Sequence, residues 1–123
     1  MGPLGIPTPE EEYIKLALGM EIFATMVIHI VRISLLIDNR GHKDSNGIAL
    51  GSAYTAMVLA SAPISGACFN PARAIGPLFA LDKSTSNSQL VMALAPFIGC
   101  TAGMFIYKRW LISDELEDEL DEL

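Results

Sequence analysis

Three long apolar segments dominate the pattern of hydrophobic and polar positions along the chain. They cover residues 14–37, 48–69 and 90–111, and the second contains no charged residue. About 20 mainly apolar helical residues cross a bilayer core, so each segment is long enough to span it. A soluble helix would show a polar face, which the second segment lacks, and a chain of 123 residues is too short to bury three such helices. The pattern therefore predicts three transmembrane helices.

A fourth element of another kind lies at residues 70–81, between the second and third segments. Asn70 is a favourable N-cap, and Pro71 fits the first helical position, where its missing N–H costs nothing. Gly76 and Pro77 are expected to weaken or end this helix. Because the element is too short to cross a bilayer, it predicts a re-entrant half-helix that lines a watery cavity or packs inside protein. The predicted fold class is an all-α membrane protein of three transmembrane helices plus a re-entrant half-helix.

The composition agrees with this fold class once the charge is divided by region. The chain is 51% hydrophobic and carries a formal net charge of −6, but seven of its acids lie in the last ten residues. Residues 1–113 therefore carry a net charge of +1. A nucleic-acid-binding protein would need a clustered basic surface, so no nucleic-acid partner is expected.

The sequence also offers little that could support catalysis or metal binding. It contains no recognisable nucleophile–base pair, metal-ligating cluster or phosphate-binding loop, so we expect no enzyme activity, no cofactor and no metal. Cys68 and Cys100 both lie within apolar segments and have no histidine nearby. We expect both to be buried small residues rather than metal ligands or a disulfide.

The positions of the basic residues predict the orientation of the helices. Arg40 and Lys43 lie between the first two segments, and Lys108 and Arg109 end the third. If the short helix dips in and returns, three crossings place all four on one side, which the positive-inside tendency makes cytoplasmic. The chain is thus predicted to be an integral, multi-pass protein of the plasma membrane or of an internal membrane. The predicted regions are an extracellular loop at 1–13, a transmembrane repeat at 14–112 and an acidic cytoplasmic tail at 113–123.

Small and aromatic residues suggest how these helices pack. Gly51 in the second segment, and Gly99 and Gly103 in the third, permit close helix approach. Trp110 fits the aromatic belt at the membrane interface, and Tyr107 fits either this belt or internal packing.

One stretch of the sequence resembles a known family of channels. Residues 63–73 read PISGACFNPAR and are followed by Gly-Pro at 76–77. This run resembles the second signature loop of the major intrinsic proteins, which are the aquaporins and aquaglyceroporins. Glu21 and Thr25 before it, and Pro-Phe-Ile-Gly at 96–99 after it, resemble the flanking helices of that family in order and spacing.

The resemblance covers about residues 10–112 and implies a single aquaporin-type repeat. The family builds its pore from two repeats of opposite topology, each of which supplies one Asn-Pro-Ala half-helix. The chain is therefore expected to be either a truncated product, which we favour, or a half-channel in the lipid bilayer. A half-channel needs a second aquaporin half or a homo-oligomer, because such channels are made of inverted repeats. The alternative is a non-conducting fragment or a membrane interaction partner of full-length channels.

The resemblance also implies which residues line the pore. Asn70, Pro71 and Ala72 would begin the half-helix, whose positive N-terminal end opposes cations while the Asn70 amide donates to a passing oxygen. Arg73 matches the arginine of the family's constriction, where it supplies donors and repels cations. By the same alignment, two further constriction positions fall on Val58 and Ala67, and the fourth belongs to the missing half.

The residues at these positions imply a choice of solute. Val58 implies a more apolar and wider constriction than the histidine of many water-selective members. Ala74 stands where glycerol-conducting members usually carry aspartate, which argues against glycerol. Water is therefore the expected solute, with small neutral solutes close behind.

Three polar residues within the first segment need their own explanation, because such groups are costly in a membrane. In the family, the glutamate that matches Glu21 supports the signature loop by accepting hydrogen bonds from its backbone amides. Arg32 is expected to reach the cytoplasmic interface by extending its side chain. His29 fits either a hydrogen-bonded packing residue, which we favour, or a pH-dependent gate.

Overall fold

The computed structural model describes residues 11–37, 43–81 and 87–112, together with 114 and 118. Short 3-10 turns precede the first two helices, at Glu11–Tyr13 and Lys43–Ser45, and a π-helical turn at Tyr107–Leu111 follows the last. The helices are α1 (Ile14–Leu36), α2 (Asn46–Ser65), α3 (Pro71–Leu81) and α4 (Asn87–Ile106).

The described part of the chain confirms the predicted all-α membrane fold class. It contains helices and no strand, and its arrangement is consistent with a partial aquaporin repeat. Within the described residues, α1 and α2 are long and apolar enough to cross a membrane. Helix α4 has 20 residues, which corresponds to about 30 Å of helix.

Helix α1 lies at the centre of the arrangement, with α2 and α4 packed against it, while α3 packs on α4. The contact between α1 and α4 is close because two glycines of α4 lie there. A Cβ atom added at Gly99 would lie 2.5 Å from the carbonyl oxygen of Ile22, and one at Gly103 would lie 2.8 Å from that of Met26. By contrast, a Cβ at Gly51 of α2 would meet nothing within 4 Å among the described residues. The glycines of α4 thus permit close approach of two helix backbones.

Polar and apolar side chains are distributed in the reverse of a soluble protein. Glu21, Thr25, Ser61 and Ser65 are all at most 1% exposed, and these two serines are the buried residues of α2. Many large apolar side chains are instead exposed, among them Leu16, Phe23, Ile48, Leu59, Leu94, Phe97, Ile98, Met104 and Phe105. Extensive exposed apolar surface of this kind requires cover from lipid or from another protein surface.

The second and third apolar segments end differently from the sequence prediction. Helix α2 ends at Ser65 rather than continuing to position 69, because Gly66 adopts a left-handed φ of 86°. The third segment changes from an α-helix to a π-helical turn after Ile106. Tyr107 in that turn is buried, which favours the packing alternative, while Trp110 is exposed.

Helix α3 continues through Gly76 and Pro77 to Leu81, so these residues do not end it, and the element ends where the sequence predicted. Proline removes one helical hydrogen bond, and membrane helices tolerate this where neighbouring groups satisfy the freed carbonyl. Cys68 is buried as expected, but Cys100 is only half-buried because its position on α4 is partly uncovered, and both are free thiols.

The predicted orientation in the membrane rests partly on residues outside the described part of the chain. Arg40 lies there, as do positions 1–10 of the predicted extracellular loop and most of the acidic tail. The orientation and the region boundaries stay predictions.

Candidate functional site

The loop at residues 66–70 joins α2 to α3 and contains an unusual backbone. Gly66, Ala67 and Phe69 all have positive φ values, of 86°, 52° and 50°. For the two residues that are not glycine, this conformation costs roughly 1–3 kcal/mol each, and it persists only where the surroundings fix it. All three residues are buried. Such a loop needs partners for its backbone amides.

Glu21 of α1 supplies most of these partners. Its side chain is completely buried, and its Oε1 accepts hydrogen bonds from the Cys68 N–H at 2.7 Å and the Ser65 hydroxyl at 2.6 Å. Its Oε2 accepts the Phe69 N–H at 2.8 Å. A carboxylate is an acceptor with two oxygens, and hydrogen bonds to it are about twice as strong as those between neutral groups. Glu21 therefore ties α1 to the loop across more than 40 positions of sequence.

Ser65, the last residue of α2, completes the set of loop contacts. Its Oγ accepts a hydrogen bond from the Ala67 N–H at 3.2 Å. Three consecutive amides, of Ala67, Cys68 and Phe69, are thus bound by two side chains. Ser65 was not among the functional residues predicted from the sequence. The available signal was a pair of serines four positions apart, Ser61 and Ser65, on one face of a charge-free helix.

Asn70 caps the start of α3. Its Oδ1 accepts the Ala72 N–H at 2.9 Å, and its backbone oxygen accepts the Ala74 N–H at 3.2 Å and the Cys68 thiol at 3.2 Å. Pro71 at the first helical position has no N–H to satisfy. The Asn70 side chain is exposed, and this cap uses its oxygen and leaves its NH2 group to donate elsewhere.

Arg73 is joined to the same loop. Its Nη1 donates a hydrogen bond to the carbonyl oxygen of Ala67 at 2.9 Å, although Arg73 itself is exposed. The Asn70 cap on Ala72 and the Arg73 contact with Ala67 thus lie within residues 67–73, which we call the loop unit. Val58 lies apart from this set of hydrogen bonds, exposed on α2 about two turns before the loop.

The other polar residues of α1 lie outside the loop unit. His29 is half-buried, and its Nδ1 lies 3.1 Å from the Thr25 carbonyl oxygen, which fits a packing role. Arg32 is exposed. The Thr25 hydroxyl is buried and has no hydrogen-bond partner among the described residues.

Sequence comparison relates the chain to known proteins. The sequence model of the family "Major intrinsic protein" matches residues 7–107. A probable NIP-type aquaporin of Nicotiana alata is 37% identical over 104 residues, which are 85% of this chain and 38% of that protein. Aquaporin NIP1-1 of Zea mays is 34% identical over 105 residues, which are 85% of this chain and 36% of that protein.

Nodulin-26 of Glycine max is 33% identical over 91 residues, which are 74% of this chain and 33% of that protein. The chain spans between a third and two fifths of the length of these curated relatives. The match covers most of the chain, including α1, the loop and the caps described above. The chain therefore belongs to the major intrinsic protein family, a family of membrane channels.

Proposed function

We propose that this chain is one repeat of a passive channel for water or small uncharged solutes, and that it needs a second half to form the pore. The observation that carries the proposal is the loop unit at residues 67–73, in which Asn70 caps α3 and Arg73 donates to the Ala67 carbonyl. It presents two exposed polar side chains beside a helix N-terminus, on a loop whose own amides are bound inside the protein. Passive transport requires only such positioned groups and no covalent step.

The start of α3 would exclude cations by electrostatic repulsion. A helix N-terminus carries about half a positive charge, and Asn70 fixes this end without adding a negative charge. The Asn70 amide can donate to a passing oxygen while its own oxygen remains occupied by Ala72. Protons and metal cations would meet donors and positive potential, whereas a neutral molecule would meet a hydrogen-bond partner.

Arg73 and two apolar positions would form the constriction. The Ala67 carbonyl holds the guanidinium at one donor, and its other donors, which have no further hydrogen-bond partner among the described residues, would face a solute. Val58 and the Ala67 side chain would supply apolar walls. Ala74 is buried beside Cys68 and Ala93, where it serves packing. Water is the leading solute, and other small neutral molecules follow.

The missing half of the pore and the lipid bilayer are the proposed partners. Apolar side chains are exposed along α1, α2 and α4, and the chain covers about a third of its relatives. In this proposal α1, α2 and α4 cross the bilayer, and α3 enters and returns. A second half of opposite orientation, supplied by another repeat or by a second copy, would complete the pore as inverted repeats do.

Stopped-flow light scattering on proteoliposomes tests this function. The chain is reconstituted alone and together with the N-terminal half of the Nicotiana alata relative. We expect the mixed liposomes to shrink faster in hyperosmotic buffer than empty liposomes. Asn70→Asp and Arg73→Val should then raise the permeability to cations, with Glu12→Gln as a charge control on an exposed site. Permeability equal to that of empty liposomes in both preparations would refute the proposal.

A second candidate is a non-conducting membrane partner of full-length channels. It is favoured by the large apolar side chains exposed on α1, α2 and α4, which the surface of a neighbouring channel could cover. This candidate predicts no permeability in either preparation, together with co-purification of the chain with a full-length channel from the same membrane. Water flux through the mixed liposomes would exclude it.

A further inference from the structure

Two serines of α2 lie one helical turn apart and are equally buried, yet their hydroxyls have different partners. The Ser61 hydroxyl donates to the carbonyl oxygen of Met57 in its own helix, at 2.6 Å. The Ser65 hydroxyl contacts Glu21 of α1 at 2.6 Å and the Ala67 N–H of the loop at 3.2 Å. Ser61 thus serves only its helix, whereas Ser65 connects a second helix with the loop.

A hydroxyl has one proton, and this decides the direction of the Ser65 contacts. Ser65 Oγ lies 2.6 Å from Glu21 Oε1 and 3.2 Å from the Ser61 carbonyl oxygen, and it can donate to one of them at a time. The shorter contact to a carboxylate is the stronger one. The lone pairs of Ser65 Oγ remain available for the Ala67 N–H. The hydroxyl therefore donates to Glu21 and accepts from the loop at the same time.

Ala67 transmits this contact to the exposed side of the loop. Its N–H, in the Gly66–Ala67 peptide, is held by Ser65, and its carbonyl oxygen, in the Ala67–Cys68 peptide, accepts the Arg73 guanidinium at 2.9 Å. The Cys68 N–H of that second planar peptide is bound by Glu21 Oε1, the same atom that accepts the Ser65 hydroxyl. The Ala67 backbone also has a positive φ of 52°, so the direction of its carbonyl is fixed only if its neighbouring amides are held. No other side chain within the described residues is recorded as an acceptor for the Ala67 N–H.

We propose that Ser65 is a positioning residue for Arg73. Its hydroxyl binds the Ala67 amide and fixes the Glu21 oxygen that holds the Cys68 amide. The Cys68 amide lies in the same planar peptide as the Ala67 carbonyl, which in turn places the guanidinium where the constriction needs it. This role rests on the proposed channel function, because only a channel has a constriction. The contacts themselves can be tested without a transport measurement. Glu21 holds the Cys68 and Phe69 amides directly, whereas Ser65 adds the third amide and a hydrogen bond to the Glu21 oxygen that binds the Cys68 N–H.

The reaction rate of the Cys68 thiol reports whether the loop is held. Cys68 is buried inside the loop, and Cys100 is removed as Cys100→Ala to leave a single thiol. The purified chain in detergent micelles is treated with methyl methanethiosulfonate, which forms a mixed disulfide with the thiol and releases methanesulfinate. Ser65→Ala should raise the rate about fivefold, the factor that corresponds to one hydrogen bond of ordinary net strength. Ser61→Ala is the matched control and should react at the parent rate.

A second pair of variants separates the hydroxyl from the volume of the side chain. Ser65→Thr keeps the hydroxyl, whereas Ser65→Val has the same shape without it. Threonine should restore the parent rate, and valine should react as fast as alanine. Arg73 is followed in the same samples by the guanidinium resonances in nitrogen-15 NMR. Separate resonances of a held guanidinium should merge into one averaged signal in Ser65→Ala and Ser65→Val only.

Several outcomes would overturn the proposal. Equal rates for Ser65→Ala and Ser61→Ala, equal rates for threonine and valine, or unchanged Arg73 resonances would each do so. If alanine and valine lose the helical circular dichroism spectrum while threonine keeps it, the hydroxyl serves folding in general and the proposal fails as well. These measurements do not depend on transport. Absence of water flux would therefore contradict the proposed function without affecting the Ser65 test. Unchanged thiol reaction rates together with measurable flux would contradict only the proposed role of Ser65.

Discussion

The loop at 66–70 and the outward faces of the helices differ in which kinds of side chain they bury and expose. The loop is mostly buried, its backbone is strained at Ala67 and Phe69, and its amides are bound by buried polar side chains. The outward faces are apolar and exposed, and Leu59 on α2 is 73% exposed. Buried polar groups hold the loop, and large apolar side chains cover the exterior.

This difference shows which regions of the chain depend on particular atoms and which depend only on the polarity of their surface. A buried hydrogen bond depends on one donor and one acceptor at a fixed distance, so changing either atom leaves its partner unpaired. An apolar face toward lipid depends on the chemical character of its surface and much less on its shape. Substitutions at the loop should therefore act through particular atoms, and substitutions on the outward faces through polarity alone.

The largest effect is expected from Glu21→Ala. It removes the acceptors of the Ser65 hydroxyl and of the Cys68 and Phe69 amides, and each buried donor left unpaired costs roughly 1–3 kcal/mol. The free energy of unfolding, measured by denaturing-detergent titration in micelles, should fall by about the sum of the costs of these three unpaired donors. Glu12→Ala is the control, since Glu12 is exposed at the start of the described chain. Similar losses for both would show that the loop is held by something else.

Leu59→Asp should have the next largest effect, on membrane insertion. Leu59 lies on the exposed face of α2, where a charge at the membrane centre costs about 2.5–3.5 kcal/mol on insertion scales. The inserted fraction, measured by glycosylation mapping in microsomes, should drop clearly. Leu59→Ala tests shape without charge and should insert nearly as well as leucine. Normal insertion of the aspartate variant would mean that this face of α2 does not contact lipid.

Gly99→Ala should have a smaller effect on helix packing. The added Cβ would lie 2.5 Å from the Ile22 carbonyl oxygen and 2.9 Å from the Thr25 Cβ, so the backbones must separate. Overpacking of this kind costs about 1–3 kcal/mol, which the same unfolding titration would detect. Gly51→Ala is the matched control, because no described atom lies within 4 Å of its added Cβ. If the two variants are equally stable, α1 and α4 do not approach at Gly99.

Thr25→Val should have the smallest effect on the free energy of unfolding. Unlike the loop variants, it should leave stability nearly unchanged or raise it slightly. The Thr25 hydroxyl is buried without a partner among the described residues, so its removal by a side chain of the same shape breaks no hydrogen bond. Stability should stay within about 0.5 kcal/mol of the parent or rise slightly. A loss as large as that of Ser65→Val would show that the Thr25 hydroxyl does have a partner.

Much of the fold could be predicted from the sequence because hydropathy depends on local composition. Segments long and apolar enough to cross a membrane stand out, and Asn70-Pro71 indicates a helix start through the chemistry of two adjacent residues. Helix ends were harder. The apolar run to position 69 hides the end of α2 at Ser65, since hydropathy does not register the left-handed turn at Gly66.

The contacts of the site could be predicted only where family resemblance supplied them. Glu21 was named for the loop by resemblance, whereas Ser65 and the Ala67 carbonyl were missed as hydrogen-bonding partners. Both depend on tertiary placement: Ser65 lies 44 positions from Glu21, and the Ala67 carbonyl turns toward Arg73 only through a positive φ. No local pattern encodes such directions. Val58 remains a predicted pore residue on the exposed side of α2.

The water permeability of Glu21→Ala tests most directly whether the polar interior holds a working pore surface. The parent chain and Glu21→Ala are each reconstituted with the N-terminal half of the Nicotiana alata relative and compared by stopped-flow light scattering. The parent should exceed empty liposomes, and Glu21→Ala should fall to the level of empty liposomes at equal protein content. Equal permeability of the two chains would contradict the account.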